Sequence, residues 1–258
     1  MIYARYFLLL LLVFALSACG KEAPYQEQGY VFGTLVEVSV YGEDEVKAKQ
    51  AVAAVMQEFQ RLHNLLHAWK PSALSEMNTA FAKGKAVSVT PELAAMLRDA
   101  TQLSEQSGGL FNPAIGGLVK LWGFHGDEFK PALPEGKQLA ALVAAQPQMK
   151  DISFNPDCPL DDCASQNQLL VGRASARHVG LKPDLRSIGL SEITASSRNR
   201  AVQLDLGGYA KGYALDRAAE LLRQQGIRHA LINIGGNVLA LGTHGSRPWR
   251  VGPVGCSV

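Results

Sequence analysis

The stretch DLGGYAKGYALD, residues 205–216, carries the strongest structural signal in the chain. It overlaps the end of the apolar run AVQLDL, residues 201–206, which predicts a buried strand, and it leads into a helical pattern. The adjacent glycines 207 and 208 let the backbone approach a ligand closely, and unpaired amides at the start of a helix attract anions. Lys211 lies within the first helical turn, where its ammonium group can reach a phosphate.

Asp205 ends the predicted strand directly before these glycines. Its carboxylate can orient a ribose or flavin hydroxyl, or hold a metal ion. The alternative is a plain strand–helix turn, in which the glycines serve packing and Lys211 is solvated. These residues by themselves leave both interpretations open.

Helix and strand patterns surround this stretch. The helical spacing continues to residue 225, where Gly226 ends it, and an apolar strand follows over residues 230–234. The other predicted elements are a strand over residues 29–41, a helix over residues 43–67, a helix from Thr90-Pro91 to the stop at Gly108-Gly109, a shorter helix after Pro134 to Ala145, and an irregular region over residues 155–200 with short strands such as 168–172.

The composition is that of a folded globular protein. The 258 residues are 47% hydrophobic and 19% charged, and their length is enough to bury a core. The formal net charge is +2, so no basic surplus exists to neutralise the phosphates of a nucleic acid. No P-loop, GxGxxG or GxSxG motif is present. His63 and His67 have the spacing of a zinc pair, but Asn64 replaces the glutamate of a zinc peptidase, which favours an ordinary helix end.

The N-terminus has the pattern of a secretory signal. Arg5 precedes an apolar run over residues 7–16, which is too short to span a bilayer comfortably. Residues 16–19, LSAC, resemble a bacterial lipobox. We therefore expect a signal peptide over residues 1–18, lipidation at Cys19 and a polar tether over residues 19–28, which would anchor the chain to a membrane outside the cytoplasm. An ordinary signal with a chance cysteine and a plain membrane anchor are the alternatives.

An oxidising compartment also bears on the other cysteines. Cys158 and Cys163 bracket a short polar loop, for which we favour a disulfide over a metal pair because no histidine lies nearby. Cys256 is then left without a partner by parity.

Two further stretches combine glycines with flat or polar side chains. One is GGLFNPAIGGLVKLWGF, residues 108–124, whose tight backbone and aromatic rings suit a planar ligand or an irregular core loop. The other is LINIGGNV, residues 231–238, a strand that ends in a glycine pair.

Together these stretches resemble the FAD:protein FMN transferases, the ApbE lipoproteins. The resemblance covers about residues 29–250, apart from residues 158–198, and five matches occur in the family's order. They are Gly33-Thr34, residues 69–78, Phe111-Asn112-Pro113 with Gly116 and residues 121–124, residues 205–212, and residues 233–237.

The resemblance implies a mixed α/β (α+β) domain over residues 29–258, with a mainly antiparallel sheet and flanking helices. It implies that the protein binds FAD and, with Mg²⁺, moves its FMN half to a threonine hydroxyl of an acceptor flavoprotein, such as a subunit of a membrane redox complex. The expected location is the periplasmic side of a bacterial membrane. A catalytically impaired flavin-binding lipoprotein is the alternative, and substrate capture for an uptake system has only the lipobox in its favour.

The resemblance also implies residue roles. Those expected to contact FAD are Phe32, Trp69, Asn112, Pro113, Ala114, Asp205 and Lys211, and the Gly208 carbonyl is expected to bind the metal. The family often has an aspartate where this chain has Asn112, which puts a charge role there in doubt.

The family continues past the segment that matches residues 248–252, with a histidine, further strands and an aspartate and threonine that complete the metal site. Here residues 253–258 do not resemble the family. We therefore expect a C-terminally truncated copy or a fragment with impaired transfer activity.

Overall fold

The computed structural model describes residues 23–125, 133–155 and 193–252. The predicted signal peptide, Cys19, the Cys158–Cys163 loop, the strand over 168–172 and residues 253–258 lie outside these ranges. The elements are β1 (Tyr25–Val31), β2 (Thr34–Val40), α1 (Glu45–Leu66), α2 (Ala73–Ala82), β3 (Val87–Val89), α3 (Pro91–Gln106), α4 (Gly116–Leu121), α5 (Gly136–Ala145), a 3₁₀ turn (Met149–Asp151), β4 (Ile152–Asn155), β5 (Ile193–Ser197), α6 (Gly207–Gln224), β6 (Ala230–Ile234) and β7 (Asn237–Leu241).

The chain divides into two compact units, and the divisions fall inside α1 and α6. The described part of the first unit, residues 23–58 and 215–252, contains a four-stranded antiparallel sheet in the order β1-β2-β6-β7. Its buried side chains alternate along β2 and β6 and recur at helical spacing on α1 and α6. They include Val36, Val38, Ile232, Ile234, Val52, Val55, Ala218 and Leu222.

The second unit, residues 59–214, contains a three-stranded antiparallel sheet in the order β3-β5-β4 together with α2, α3, α4 and α5. Its core is formed by fully buried side chains from α2 and α3, among them Leu74, Met77, Phe81, Leu93, Met96 and Leu97. The predicted fold class, α/β with antiparallel sheets and flanking helices, is confirmed. In the ranges that the structure describes, no helix has the length and apolar character required to cross a membrane.

Helices α1, α3, α5 and α6 agree closely with the sequence predictions, whereas no helix was predicted over α2 or α4. Thr90 caps α3 by accepting a hydrogen bond from the Leu93 amide at 3.2 Å, and Pro91 occupies the first turn, as predicted. The helix predicted over residues 43–67 is α1, and the one that starts at Gly207 is α6. These predictions are confirmed because caps and apolar spacing depend on neighbours in the chain.

The predicted strand over residues 29–41 is wrong in detail, because it is a hairpin. β1 and β2 pair from Val31 opposite Thr34, which leaves Phe32 and Gly33 as a two-residue turn. Both turn residues have positive φ, 56° and 71°, as a type I′ turn requires. β1 also begins at Tyr25, inside the segment predicted to be the tether. Alternating burial along YQEQGYV accounts for its strand structure.

The strand predicted over residues 201–206 is also wrong. The run is buried at Val202, Leu204 and Leu206, but it belongs to neither sheet. Gln203 instead forms an isolated parallel bridge with Ile115. The alternation of apolar residues therefore predicted correctly that residues 201–206 are buried. It did not predict that their backbone pairs with the loop at Ile115 and not with a strand.

A substitution at Gly116 tests the packing of the loop before α4 against residues 201–206. A Cβ atom at Gly116 would lie 2.6 Å from the backbone oxygen of Gln203, so Gly116→Ala must displace main chain. We expect the free energy of unfolding to fall by ~1–3 kcal/mol. Gly136→Ala, where a Cβ meets nothing within 4 Å, is the control and should be neutral or slightly stabilising. Chemical denaturation measures both, and equal stabilities would contradict the packing.

Candidate functional site at the start of helix α6

In the first turn of α6, Asp205 caps one backbone amide, and a second amide, that of Gly208, is open, meaning that it has no acceptor among the described residues. The Gly207 amide donates to Asp205 Oδ1 at 2.8 Å, and the Tyr209 and Ala210 amides donate to the Leu206 oxygen. Gly208 is exposed, and its amide has no hydrogen-bond acceptor among the residues that the structure describes. This amide, at the positive end of the helix dipole, is available to an anion.

Glycine at positions 207 and 208 has a physical basis. A Cβ at Gly207 would lie 3.1 Å from Asp205 Oδ1, so a larger residue would crowd the carboxylate that caps the helix. A Cβ at Gly208 would lie 3.6 Å from the ring of Phe111. The open amide is therefore next to an aromatic ring, and Lys211, half-buried, lies within the same turn.

Asn78, on α2, holds the segment that leads into this turn. Its side chain is 7% exposed, and both amide atoms bind the backbone of Leu204. The Leu204 N–H donates to Asn78 Oδ1 at 2.6 Å, and Asn78 Nδ2 donates to the Leu204 oxygen at 2.9 Å. Asn78 thus replaces a neighbouring strand and fixes the residue that precedes Asp205. In the sequence, Asn78 stands only at the end of a matched stretch, and no local pattern indicates this role.

The loop before α4 holds the same segment from its other side. The Gln203 and Asp205 amides donate to the oxygens of Ala114 and Pro113 at 3.1 and 2.9 Å, and the Gly116 amide donates to the Gln203 oxygen at 2.7 Å. Pro113 and Ala114 are buried. The structure therefore gives both residues a positioning role, and their predicted contact with FAD stays a prediction.

Asn112 uses both ends of its side-chain amide. Asn112 Nδ2 donates to the Pro147 oxygen at 2.9 Å, and Oδ1 accepts from the Ala114 amide at 3.1 Å. An aspartate at this position has no N–H for Pro147, so the amide suits this loop. Asn112 also lines a cavity of about 420 Å³ beside the end of α3.

A second link joins α6 to α3. Tyr209, 7% exposed, donates its hydroxyl proton to Asp99 Oδ2 at 2.8 Å, and its ring stacks on Tyr213 with the centroids 5.7 Å apart. This contact anchors the turn that presents Gly208 and Lys211. The sequence patterns did not indicate it, because Asp99 and Tyr209 are 110 residues apart.

Trp69 follows the end of α1 and lines a cleft of about 560 Å³ that Asn78 and Gln203 also line. The Trp69 and Lys70 amides donate to His67 Nδ1 at 3.2 and 3.1 Å, and the Trp69 ring contacts His125 edge to face at 5.6 Å. Trp69 and Asn78, from the two ends of one matched stretch, thus share one cleft. His67 serves to fix this turn.

Phe32, the Gly33-Thr34 motif and residues 233–237 belong to the first unit. Phe32 adopts positive φ in the β1–β2 turn, an uncommon conformation for a bulky residue. Thr34 packs against Gly235, where a Cβ would lie 2.4 Å from Thr34 Oγ1, and the Gly236 amide donates to Asn233 Oδ1 at 2.9 Å. The first and last matched motifs therefore adjoin in this unit.

Comparison with known proteins identifies the family of this sequence. The sequence profile of the ApbE family matches residues 32–253, a span that includes every predicted flavin contact. The chain belongs to the ApbE family.

ApbE-family relatives include proteins with an established name. A FAD:protein FMN transferase of Rhodobacter capsulatus is 40% identical over 225 residues, which are 87% of this chain and 36% of the relative. One from Treponema pallidum is 30% identical over 246 residues, 93% of this chain and 59% of the relative. The chain thus spans about a third to three fifths of the length of these curated relatives.

Solved ApbE structures share the fold. The ApbE protein of Thermotoga maritima has a TM-score of 0.66 at 22% identity, covering 88% of this chain and 62% of its own. The flavin transferase ApbE of Vibrio cholerae has a TM-score of 0.63 at 20% identity, covering 88% of this chain and 63% of its own.

The predicted metal ligand lies in the first turn of α6. Mg²⁺ takes six oxygen ligands in octahedral geometry, and by the family resemblance the Gly208 carbonyl would supply one of them. No group of three or more His, Cys, Asp or Glu side chains able to hold a metal occurs within the described ranges. The assignment of Gly208 as a metal ligand therefore stays a prediction.

Asn78 provides a test of the site's foundation. Asn78→Ala removes both hydrogen bonds and leaves the Leu204 amide buried without an acceptor, so the free energy of unfolding should fall by ~2–4 kcal/mol. Thr79→Ala, at an exposed neighbour on the same helix, is the control and should change it by less than ~0.5 kcal/mol. Denaturation curves that coincide for the two variants would contradict this role.

Proposed function

We propose that this chain takes part in FAD:protein FMN transfer, moving the FMN half of FAD to a threonine hydroxyl of an acceptor flavoprotein. The single observation that carries the proposal is the start of α6, where the Gly208 amide has no acceptor among the described residues, follows the capping Asp205 and precedes Lys211 in the same turn. The names of the curated relatives support it, and so does the match of the family profile across residues 32–253.

The reaction balances as a phosphoryl transfer. The threonine oxygen forms a bond to the phosphorus of the FMN phosphate, the pyrophosphate bond breaks, and AMP leaves with the bonding electron pair while the hydroxyl proton passes to a base or to water. Such reactions need alignment and charge neutralisation more than covalent help from the protein. Mg²⁺, when bound, supplies neutralisation of this kind, and it enters the proposal through the family resemblance.

The residues of the site have different tasks. The Gly208 amide and the Lys211 ammonium group suit the negative charge of a pyrophosphate. Asp205 repels phosphate, so its carboxylate is better placed to accept a hydrogen bond from a ribose or ribityl hydroxyl while it caps α6. Phe32, in its strained turn, and Trp69, at the cleft, offer flat surfaces to aromatic rings.

The direct test mixes the purified chain with FAD, Mg²⁺ and a threonine-bearing acceptor domain, followed by a denaturing gel viewed for flavin fluorescence. Covalent fluorescence on the acceptor, weaker than that produced by a full-length relative, is the expected result, because the family resemblance implies impaired transfer by this chain. An acceptor with the threonine replaced by valine is the control. FAD binding without labelling would favour the alternative of a flavin-binding lipoprotein. The absence of both FAD binding and acceptor labelling would refute the proposal.

Charge variants test the site itself. Lys211→Ala should weaken FAD binding by ~1.5–3 kcal/mol, as expected for loss of a charge-assisted hydrogen bond. Arg223→Ala, at an exposed cation near the other end of α6, is the control and should leave the affinity unchanged. Titration of flavin fluorescence measures both, and equal affinities would remove Lys211 from the site.

Two substitutions at Asp205 distinguish the effect of the carboxylate's charge from the effect of its capping hydrogen bond. Asp205→Asn keeps an oxygen for the Gly207 amide, so stability should change little while FAD binding weakens. Asp205→Ala loses the cap as well and should also lower stability by ~1 kcal/mol. If the Asn variant binds FAD as the unaltered chain does, the charge has no part in binding.

We also propose that the protein is anchored by lipid at Cys19 on the periplasmic side of a bacterial membrane, where its acceptor would be a subunit of a membrane redox complex. The lipobox over residues 16–19 supports this. Cys19→Ser should abolish incorporation of labelled palmitate and move the protein from the membrane to the soluble fraction. Cys256→Ser is the matched control, and equal labelling of the Cys19 variant would exclude the anchor.

A further inference from the structure

The cleft of about 560 Å³ in the second unit has an unusual charge distribution. Three cations line it, and no acidic side chain does so among the described residues. Lys83 ends α2, Lys120 lies in the last turn of α4, and Arg200 follows β5. The same cleft contains Trp69, so one of its walls is aromatic.

These cations have no ion-pair partner within the ranges that the structure describes. Lys83, Lys120 and Arg200 form no ion pair there, whereas Arg61 pairs with Glu92 and Arg198 with Asp151. Arg200 also lies against the segment after Lys83, because a Cβ at Gly84 would be 2.9 Å from its Nε. Cations that line one cleft without an ion-pair partner favour binding of an anion.

Three of the other polar side chains of the cleft already have partners. The Ser75 and Thr79 hydroxyls donate to the backbone oxygens of Ser72 and Ser75 at 3.0 and 2.9 Å. Both amide atoms of Asn78 bind Leu204. What the cleft offers a ligand is therefore positive charge, an aromatic wall, the side-chain amide of Gln203 and the side chain of Leu142.

The placement of the cations favours carboxylates over phosphate. Phosphates in proteins are typically bound by amides at helix N-termini. Here the two lysines lie at the C-terminal ends of α2 and α4, where the helix dipole opposes a dense negative charge. Single carboxylates spaced along an extended segment match cations that come from three separate elements.

We infer that this cleft binds an acidic segment of the acceptor protein. The inference depends on the proposed function, because it presumes an acceptor polypeptide. Trp69 belongs both to the cleft and to the predicted flavin contacts, so a segment held by Lys83, Lys120 and Arg200 would lie beside the transferred group. The contact sets acceptor preference and leaves FAD binding to the start of α6.

The test compares two triple variants of equal charge change. One combines Lys83→Gln, Lys120→Gln and Arg200→Gln, and the matched control combines Lys85→Gln, Lys137→Gln and Arg228→Gln at exposed positions outside the cleft. The probe is a fluorescein-labelled peptide with a threonine among glutamates, alongside the same peptide with glutamines. Anisotropy should show about tenfold weaker binding of the acidic peptide by the cleft variant, as loss of several exposed ion pairs implies, and no change for the control.

Further measurements separate the possible failures. FAD affinity should be unchanged in both variants, and KM for an acidic acceptor should rise about tenfold in the cleft variant alone. Equal weakening by both triples, or a loss of FAD binding in place of peptide binding, would overturn the inference. Transfer with an unchanged acceptor KM would overturn the inference and leave the proposed function intact. Specific peptide binding without any transfer would refute the proposed function and support an acidic ligand in the cleft.

Discussion

The two hydrogen bonds between Asn78 and the backbone of Leu204 are the constraint on which the candidate site depends. Residues 201–206 are extended and largely buried, yet they have no strand beside them within either sheet. A buried backbone must still satisfy its N–H and C=O groups. Asn78 does so from one side and the loop around Pro113 from the other, at distances of 2.6–3.1 Å. The segment can therefore deliver Asp205 to one fixed position without belonging to a sheet.

From that position the start of α6 follows by local chemistry. Asp205 caps the helix through Gly207, and Tyr209 anchors the first turn to Asp99 on α3. The Gly208 amide is left facing outward, so the anion-binding group is the one that the cap does not use. The side chain of Asn112, where the family often has aspartate, is likewise explained by a local hydrogen bond. Its N–H is needed by the Pro147 oxygen, and a neutral side chain there adds no charge near the site.

Two kinds of positive potential are present in the second unit. At the start of α6 it comes from an oriented amide and one lysine, which suits a compact pyrophosphate. In the cleft it comes from Lys83, Lys120 and Arg200 on three elements, which suits charges distributed along a chain. The proposed transfer of a nucleotide to a protein would need recognition of both types, and Trp69, a predicted flavin contact, lines the cleft.

The sequence by itself determined helices α1, α3 and α6, the family and the identity of the flavin-contact candidates. Thr90 and Pro91 start α3, and apolar spacing defines α1 and α6, because these signals depend on residues within a few positions of each other. Only the tertiary structure decided that residues 201–206 pair with a loop, and that Phe32 and Gly33 turn a hairpin. It also brought Asn78 to Leu204 across 126 residues of chain. Such contacts depend on how distant segments pack, and no local pattern of residue types encodes which distant backbone group a side chain will meet.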